Sequence, residues 1–109
     1  MVEGVRQESF EELERTLLAL DREYAAAREA GDEAQARACR RAVIEAKDHA
    51  RLALRNPKTH PEKAAQKQEM ILWLLTWLEN PAVFAPWLVL RKQRWHELQL
   101  AHTLAPRTS

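Results

Sequence analysis

Residues 70 to 90 read MILWLLTWLENPAVFAPWLVL, and sixteen of these twenty-one residues are apolar. The run holds three of the four tryptophans of a chain whose composition is 30% charged. A membrane span, a buried core and an exposed surface for a partner each use apolar runs of this kind. The fold and the contacts of the protein depend on which of the three applies.

Polar residues and prolines in the middle of the run argue against a membrane span. A transmembrane helix needs about 20 predominantly apolar residues, and a charge at its centre costs about 2.5 kcal/mol or more. Glu79, Asn80, Pro81 and Pro86 divide the run into two halves that are each too short to cross. We therefore expect two helical segments bent around 80–86, and no membrane partner.

Length and composition favour one compact helical domain over residues 1–109. The chain is long enough for a hydrophobic core, and it has only two glycines and an apolar content of 46%. Its single cysteine, Cys39, cannot form an intrachain disulfide. The first ten residues lack the apolar segment of a signal peptide. We therefore expect a cytoplasmic protein.

Two amphipathic helices are predicted before the apolar run. Ser9 and Glu12 form a capping box, and Gly31 followed by Asp32 suits the end of one helix and the cap of the next. Apolar residues at alternating steps of three and four predict helices over 10–30 and about 33–55. In the first helix these residues form a large stripe, Phe10, Leu13, Leu17, Leu20, Tyr24 and Ala27. In the second they form a small stripe, Ala36, Cys39, Val43, Ala46, Ala50 and Ala53.

The short turn between these helices forces them antiparallel, so we expect the large stripe to lie against the small stripe. Ala27, Gly31-Asp32 and Ala36 resemble the turn of the tetratricopeptide helix pair. No second copy follows 34 residues further on, and a solenoid needs several units. The resemblance therefore implies the shape of the hairpin and not a repeat.

A linker and a third helix follow the hairpin. Proline lacks a donor amide and disfavours helix in the residue before it, so Pro57 and Pro61 predict a linker over 56–61. The third helix is expected over 61–79, with Thr59 and Glu62 as its capping residues.

The fourth helix is expected to begin at Pro86, which suits the first position of a helix, and to end near 104. Asn80 and Pro81 end the third helix, and a turn is predicted over 81–84. The fold class is therefore all-α and four-helix bundle-like. The antiparallel N-terminal hairpin packs against the two C-terminal helices.

The tryptophans leave two alternatives open, a core within the chain and a surface for a partner. Four tryptophans are more than a core of this size normally requires. We therefore expect a protein interaction or oligomerisation module, with a protein partner or a second copy. The residues predicted to bind the partner are Trp73, Trp77, Phe84, Trp87 and Trp95.

Charge is unevenly distributed along the chain. Residues 1–35 carry four basic against ten acidic residues, and residues 36–67 carry nine basic against three acidic residues. Two antiparallel helices whose neighbouring sides carry opposite charges account for this pattern without a ligand. Non-enzymatic binding of a nucleic acid is the alternative. The residues predicted for such a face are Arg40, Lys47, Arg51 and Arg55.

Residues 55–60, RNPKTH, resemble the motif of the HEPN family of small helical ribonucleases, an Arg followed by a polar residue and, four positions after that, a His. The resemblance implies that Arg55 and His60 act on an RNA phosphodiester and that the bundle dimerises. The family normally carries the motif on a helix, whereas Pro57 and Pro61 place this segment in a loop. A HEPN-like ribonuclease is a further alternative.

Other candidates for chemistry are few. Glu45 and His49 lie one helical turn apart, but the di-iron pattern of helical bundles needs Glu-x-x-His on two helices. His96, Glu97 and His102 on the last helix do not complete that pattern. Cys39 lies within the small stripe and is expected to be a packed thiol. We therefore expect no metal and no cofactor, and non-catalytic function is favoured.

Overall fold

A computed structural model describes residues 4–104, which form an all-α fold without strands. The four helices are α1 (Phe10–Ala30), α2 (Glu33–Leu54), α3 (Pro61–Glu79) and α4 (Pro81–Leu104). None of these helices has the length and apolar content that a membrane crossing requires. The tail over 105–109, which is predicted to fray, lies outside the described residues.

The hairpin of α1 and α2 is bounded by the predicted caps. Ser9 Oγ accepts the Glu12 amide at 3.1 Å, and Asp32 Oδ1 accepts the Gln35 amide at 3.0 Å. Gly31 has a φ of 72°, and its amide donates to carbonyls in the last turn of α1. This left-handed conformation favours glycine, because a side chain at positive φ is strained. Local sequence therefore determines both ends of the turn.

The core forms where α2 packs against α1 on one side and α3 on the other. Leu13, Leu17 and Leu20 of the large stripe are buried. The buried residues of the small stripe are Ala36, Cys39, Val43, Ala46 and Ala50. Large aromatic rings connect α1 to α3, with Phe10 5.3 Å from Trp73 and Tyr24 5.2 Å from Trp77 between ring centroids.

The fourth helix begins at Pro81, and the predicted turn over 81–84 is wrong. The Asn80 amide donates to Thr76 O at 3.0 Å and closes α3, and Pro81 then occupies the first position of α4. Proline suits this position because its missing amide has no intrahelical partner there. Pro86 lies inside α4 near its start, where it removes one hydrogen bond to the carbonyl four residues earlier.

The N-cap of α3 is His60 and not Thr59. The His60 Nδ1 atom accepts the Glu62 amide at 3.2 Å. Thr59 instead donates its hydroxyl to Ala53 O at 2.8 Å, which satisfies a carbonyl in the last turn of α2. Thr59 therefore stabilises the C-terminal end of α2, and His60 caps the N-terminal end of α3.

The molecule is elongated, with extents of 58 × 30 × 19 Å and a radius of gyration of 15.7 Å. A compact chain of this length has a radius of about 13 Å. The fourth helix folds back along α3, since Arg91 reaches Glu69, and continues past the start of α1, where Trp95 lies 5.6 Å from Phe10. Near its end the side chain of Leu100 is 48% exposed.

The small stripe can be tested by enlarging one of its residues. Ala50→Leu adds three carbons at a position of the small stripe that is 0% exposed, and we expect the free energy of unfolding to fall by about 1–3 kcal/mol in urea denaturation. Ala34→Leu, at an exposed position of α2, is the matched control and should change it by less than about 0.5 kcal/mol. Equal effects of the two substitutions would contradict close packing at the small stripe.

Candidate functional site

Three of the five predicted partner-binding residues lie inside the chain's own core. Trp73, Trp77 and Phe84 are 1%, 0% and 0% exposed, and Trp77 Nε1 donates to Asp21 Oδ1 at 2.8 Å. The small stripe of α2 leaves space beside α1 and α3, which these large rings fill. The burial of these three side chains corrects their assignment to a partner surface.

The other two, Trp87 and Trp95, are half-buried. The Trp87 ring lies 6.0 Å from Phe84, and the Trp95 ring lies 5.6 Å from Phe10, between centroids. Each ring therefore packs one side against the core and keeps part of its surface in solvent. Both remain available to a partner.

A buried ion pair joins α3 to α4. Glu69 is 4% exposed and accepts Arg91 Nη2 at 2.6 Å and Arg91 Nε at 2.7 Å, one on each oxygen. Trp73 Nε1 also donates to this carboxylate, at 2.9 Å. The hydrogen bond to Glu69 raises the pKa of Arg91, the attraction of the carboxylate adds to this, and burial opposes it.

Glu69 and Arg91 are not among the site residues predicted from the sequence. A signal for them exists, because Glu69 immediately precedes the apolar run and Arg91 immediately follows it. When an apolar run folds back on itself, the charged residues at its two ends come close together. A buried ion pair needs good hydrogen-bond geometry. The bidentate contact between the Arg91 guanidinium and the Glu69 carboxylate supplies it.

The side of α4 that faces away from the core is apolar over its first ten residues. Phe84 and Leu88 are buried, and no charged residue occurs between Asn80 and Arg91. On the side of α4 that faces away from Phe84 and Leu88, the side chains of Val83, Val89 and Leu90 are 47%, 56% and 67% exposed. Pro86 lies between them in sequence and is also exposed. We call these four residues, Val83, Pro86, Val89 and Leu90, the α4 outer face.

The basic residues that follow the α4 outer face within the described part of α4 each have an acidic partner in the chain. Arg91 binds Glu69, and Lys92 Nζ lies 2.7 Å from Glu14 Oε2 of α1. Arg94 lies 3.6 Å from Glu97 on the same helix. The surface beside the α4 outer face therefore carries little unbalanced positive charge.

The four basic residues predicted for a nucleic-acid face differ in accessibility. Arg40 Nη1 donates to Leu78 O at 3.1 Å, so that this guanidinium caps the end of α3. The Lys47 side chain is 18% exposed and lies 3.5 Å from Asp48. Arg51 and Arg55 are exposed. The structure therefore presents two of the four as open surface cations.

Arg55 and His60 stand at opposite ends of the α2–α3 loop. Arg55 is the C-cap of α2 and His60 is the N-cap of α3, and both are exposed. The HEPN motif normally lies on a helix, which holds its Arg and His on one scaffold. Here the His60 ring is engaged in capping through Nδ1.

Among the side chains of residues 4–101, no group of three or more His, Cys, Asp or Glu is placed to hold a metal ion. Glu45 and His49 are exposed on α2, and His96 and Glu97 are exposed on α4. The side chain of His102 lies outside the described part of the chain.

Cys39 is completely buried in the small stripe. Burial raises the pKa of its thiol, and the nearby Glu23 carboxylate raises it further. A thiol with a raised pKa forms little thiolate at neutral pH, and the thiolate is the reactive form. Cys39 therefore acts as a packing residue.

Comparisons with known proteins found no relative of this chain: no family model, no curated protein and no solved structure matches it.

The buried ion pair predicts a large effect of removing its positive partner. Arg91→Met leaves the Glu69 carboxylate uncompensated, and we expect the free energy of unfolding in urea to fall by about 3–5 kcal/mol. Adding Glu69→Gln should recover at least half of the loss, because a neutral amide oxygen still accepts the Trp73 indole. Arg94→Met, which removes an exposed pair, should cost less than about 1 kcal/mol. Similar costs for Arg91→Met and Arg94→Met would contradict the burial of the pair.

The Cys39 environment predicts slow thiol chemistry. In the native protein, labelling by a chromogenic disulfide reagent should be slower than in denaturant by at least about a hundredfold, since the thiol must be exposed by unfolding before it reacts. The rate is measured by absorbance with and without guanidinium chloride. Equal rates would show that Cys39 is accessible in the native state.

Proposed function

We propose that the protein is a helical association module and that a second copy of the chain covers the α4 outer face. The observation that carries the proposal is the uncharged, exposed side of α4, where Leu90 is 67% exposed and no charge occurs from Asn80 to Leu90. A cytoplasmic setting is part of the proposal.

Burial of the α4 outer face is favourable because each large apolar side chain contributes about 1.5–3 kcal/mol when it is fully removed from water. Val83, Pro86 and Leu90 lie on one stripe of the helix at steps of three and four, and Val89 lies beside it. Monomeric proteins seldom expose extended contiguous apolar patches without a partner. Trp87 borders the stripe, and its half-buried ring supplies the kind of rigid anchor found at the centre of interfaces.

The lack of charge on the α4 outer face favours a second copy of the chain over a charged partner. The stripe itself is uncharged, and Arg91 and Lys92 are neutralised by Glu69 and Glu14 of the same chain. A nucleic acid or an anionic lipid surface would need free cations at this place. In a twofold dimer the same patch meets itself, and an uncharged patch meets its copy without repulsion.

The size of the α4 outer face argues for a modest affinity. Stable interfaces bury about 800 Å² on each partner, and smaller ones belong to transient complexes. We expect a dimer that dissociates at about micromolar concentration.

Two leucines of nearly equal exposure provide a matched test. Leu90→Glu places a charge on the α4 outer face, whereas Leu52→Glu places one at a 62% exposed leucine of α2. Light scattering coupled to size exclusion should show that the wild type and Leu52→Glu associate with rising concentration, and that Leu90→Glu stays monomeric. A wild type that is monomeric up to about 1 mM would refute self-association. Equal association of the two variants would refute the assigned face.

A further inference from the structure

Arginines follow one exposed stripe of α2 up to its C-cap. The residues of this stripe, at alternating steps of four and three, are Arg37, Arg41, Ile44, Asp48, Arg51 and Arg55. All six residues are exposed, whereas the small stripe on another side of the same helix is buried. We call the four arginines the α2 arginine row. At the helical rise of about 1.5 Å per residue, the row is about 27 Å long.

The guanidinium groups of the α2 arginine row are open to solvent. Those of Arg41, Arg51 and Arg55 form no ion pair with any side chain of residues 4–101. Arg37 lies 3.8 Å from Glu33, but the two side chains are 69% and 81% exposed. An exposed pair of this kind is weak and exchanges readily for another anion. The row therefore offers four cations to a ligand.

Acidic residues of the chain leave the row uncompensated. Asp48 lies 3.5 Å from Lys47, and Glu45 lies on another side of α2, beside the segment that precedes α1. Acidic residues of α1, which the charge distribution would pair with α2, contact the C-terminal helices instead. Glu14 binds Lys92 of α4, and Asp21 accepts the Trp77 indole of α3. The positive charge of α2 is therefore available to a partner outside the chain.

The chemistry and shape of the row favour the phosphate backbone of a nucleic acid. A guanidinium can form two parallel hydrogen bonds to one phosphate, and a straight row of cations matches charges that repeat along a line. An anionic membrane fits poorly, because a helix on a membrane inserts its apolar side, and that side of α2 is buried in the core. Helix α2 also has no Trp, Tyr or Phe on which the bases of a single strand could stack.

We propose that the α2 arginine row binds the phosphate backbone of a double-stranded nucleic acid without reading its base sequence. Arg40 and Lys47, which the sequence also predicted for a nucleic-acid face, do not belong to the row because each has a partner within the chain. The row and the α4 outer face lie on different helices, so each proposal can fail without the other.

Fluorescence anisotropy of labelled nucleic acids with the full-length protein tests the row. The probes are a DNA duplex and an RNA duplex of one sequence, about 20 base pairs long, and a single strand of the same DNA. We expect a duplex to bind with a Kd of about 10 μM at about 50 mM salt and roughly a hundredfold more weakly at about 200 mM, since four cations displace counterions. The duplex that binds more tightly identifies the source of the phosphates.

Variants test whether the row makes the contact. Arg51→Gln removes one of its cations and should weaken duplex binding by about tenfold at low salt, and it should lower the slope of log Kd against log salt by about one. Arg22→Gln removes the same charge from an exposed position of α1 and should change neither quantity.

Four results would overturn the proposal. They are no binding of either duplex at about 50 mM salt, equal effects of Arg51→Gln and Arg22→Gln, tighter binding of the single strand than of the duplexes, and displacement of the duplex by polyglutamate at equal concentration of charge. The last result would assign the row to an acidic protein surface.

Discussion

The buried ion pair of Glu69 and Arg91 fixes how α4 is rotated about its axis, and the surface of the protein follows from that rotation. A carboxylate that is 4% exposed requires a positive partner, and Arg91 reaches it only when that side of α4 faces α3. Phe84 and Leu88 lie on the same side at steps of four and three residues, so they enter the core. The opposite side of the same apolar helix is left in solvent as the α4 outer face.

The small stripe of α2 explains where the tryptophans go. Its small side chains let α1 and α3 approach α2 closely, and the rings of Trp73 and Trp77 fill the space that remains. Opposite charges on the facing sides of α1 and α2 would predict ion pairs between these two helices. The ion pairs have a different arrangement. Among residues 4–104 the ion pairs that connect different helices both reach α4, through Arg91 and Lys92. Apolar packing therefore joins α1 to α2, and charge fastens α4 to α1 and α3.

Sequence predicted the first three helices because their boundaries depend on local chemistry. The caps Ser9 and Asp32 and the glycine at 31 act within a few residues, and the predicted ranges agree with the structure to within one residue. The start of α4 was not predictable in this way, since Pro81 and Pro86 both suit a first position and only tertiary packing chooses between them. Nor does spacing show which side of an apolar helix faces outward. That side depends on contacts such as the one between Glu69 and Arg91, 22 residues apart.

One side of α4 belongs to the core, and we propose that a second copy of the chain covers the other side. A dilution series of methyl spectra of the full-length protein tests it most directly, because methyl shifts report contact residue by residue. We expect the signals of Val83, Val89 and Leu90 to move with protein concentration, while those of Ile44 and Leu52, exposed apolar residues of α2, stay constant. Constant signals at all five residues, or movement confined to Ile44 and Leu52, would contradict it.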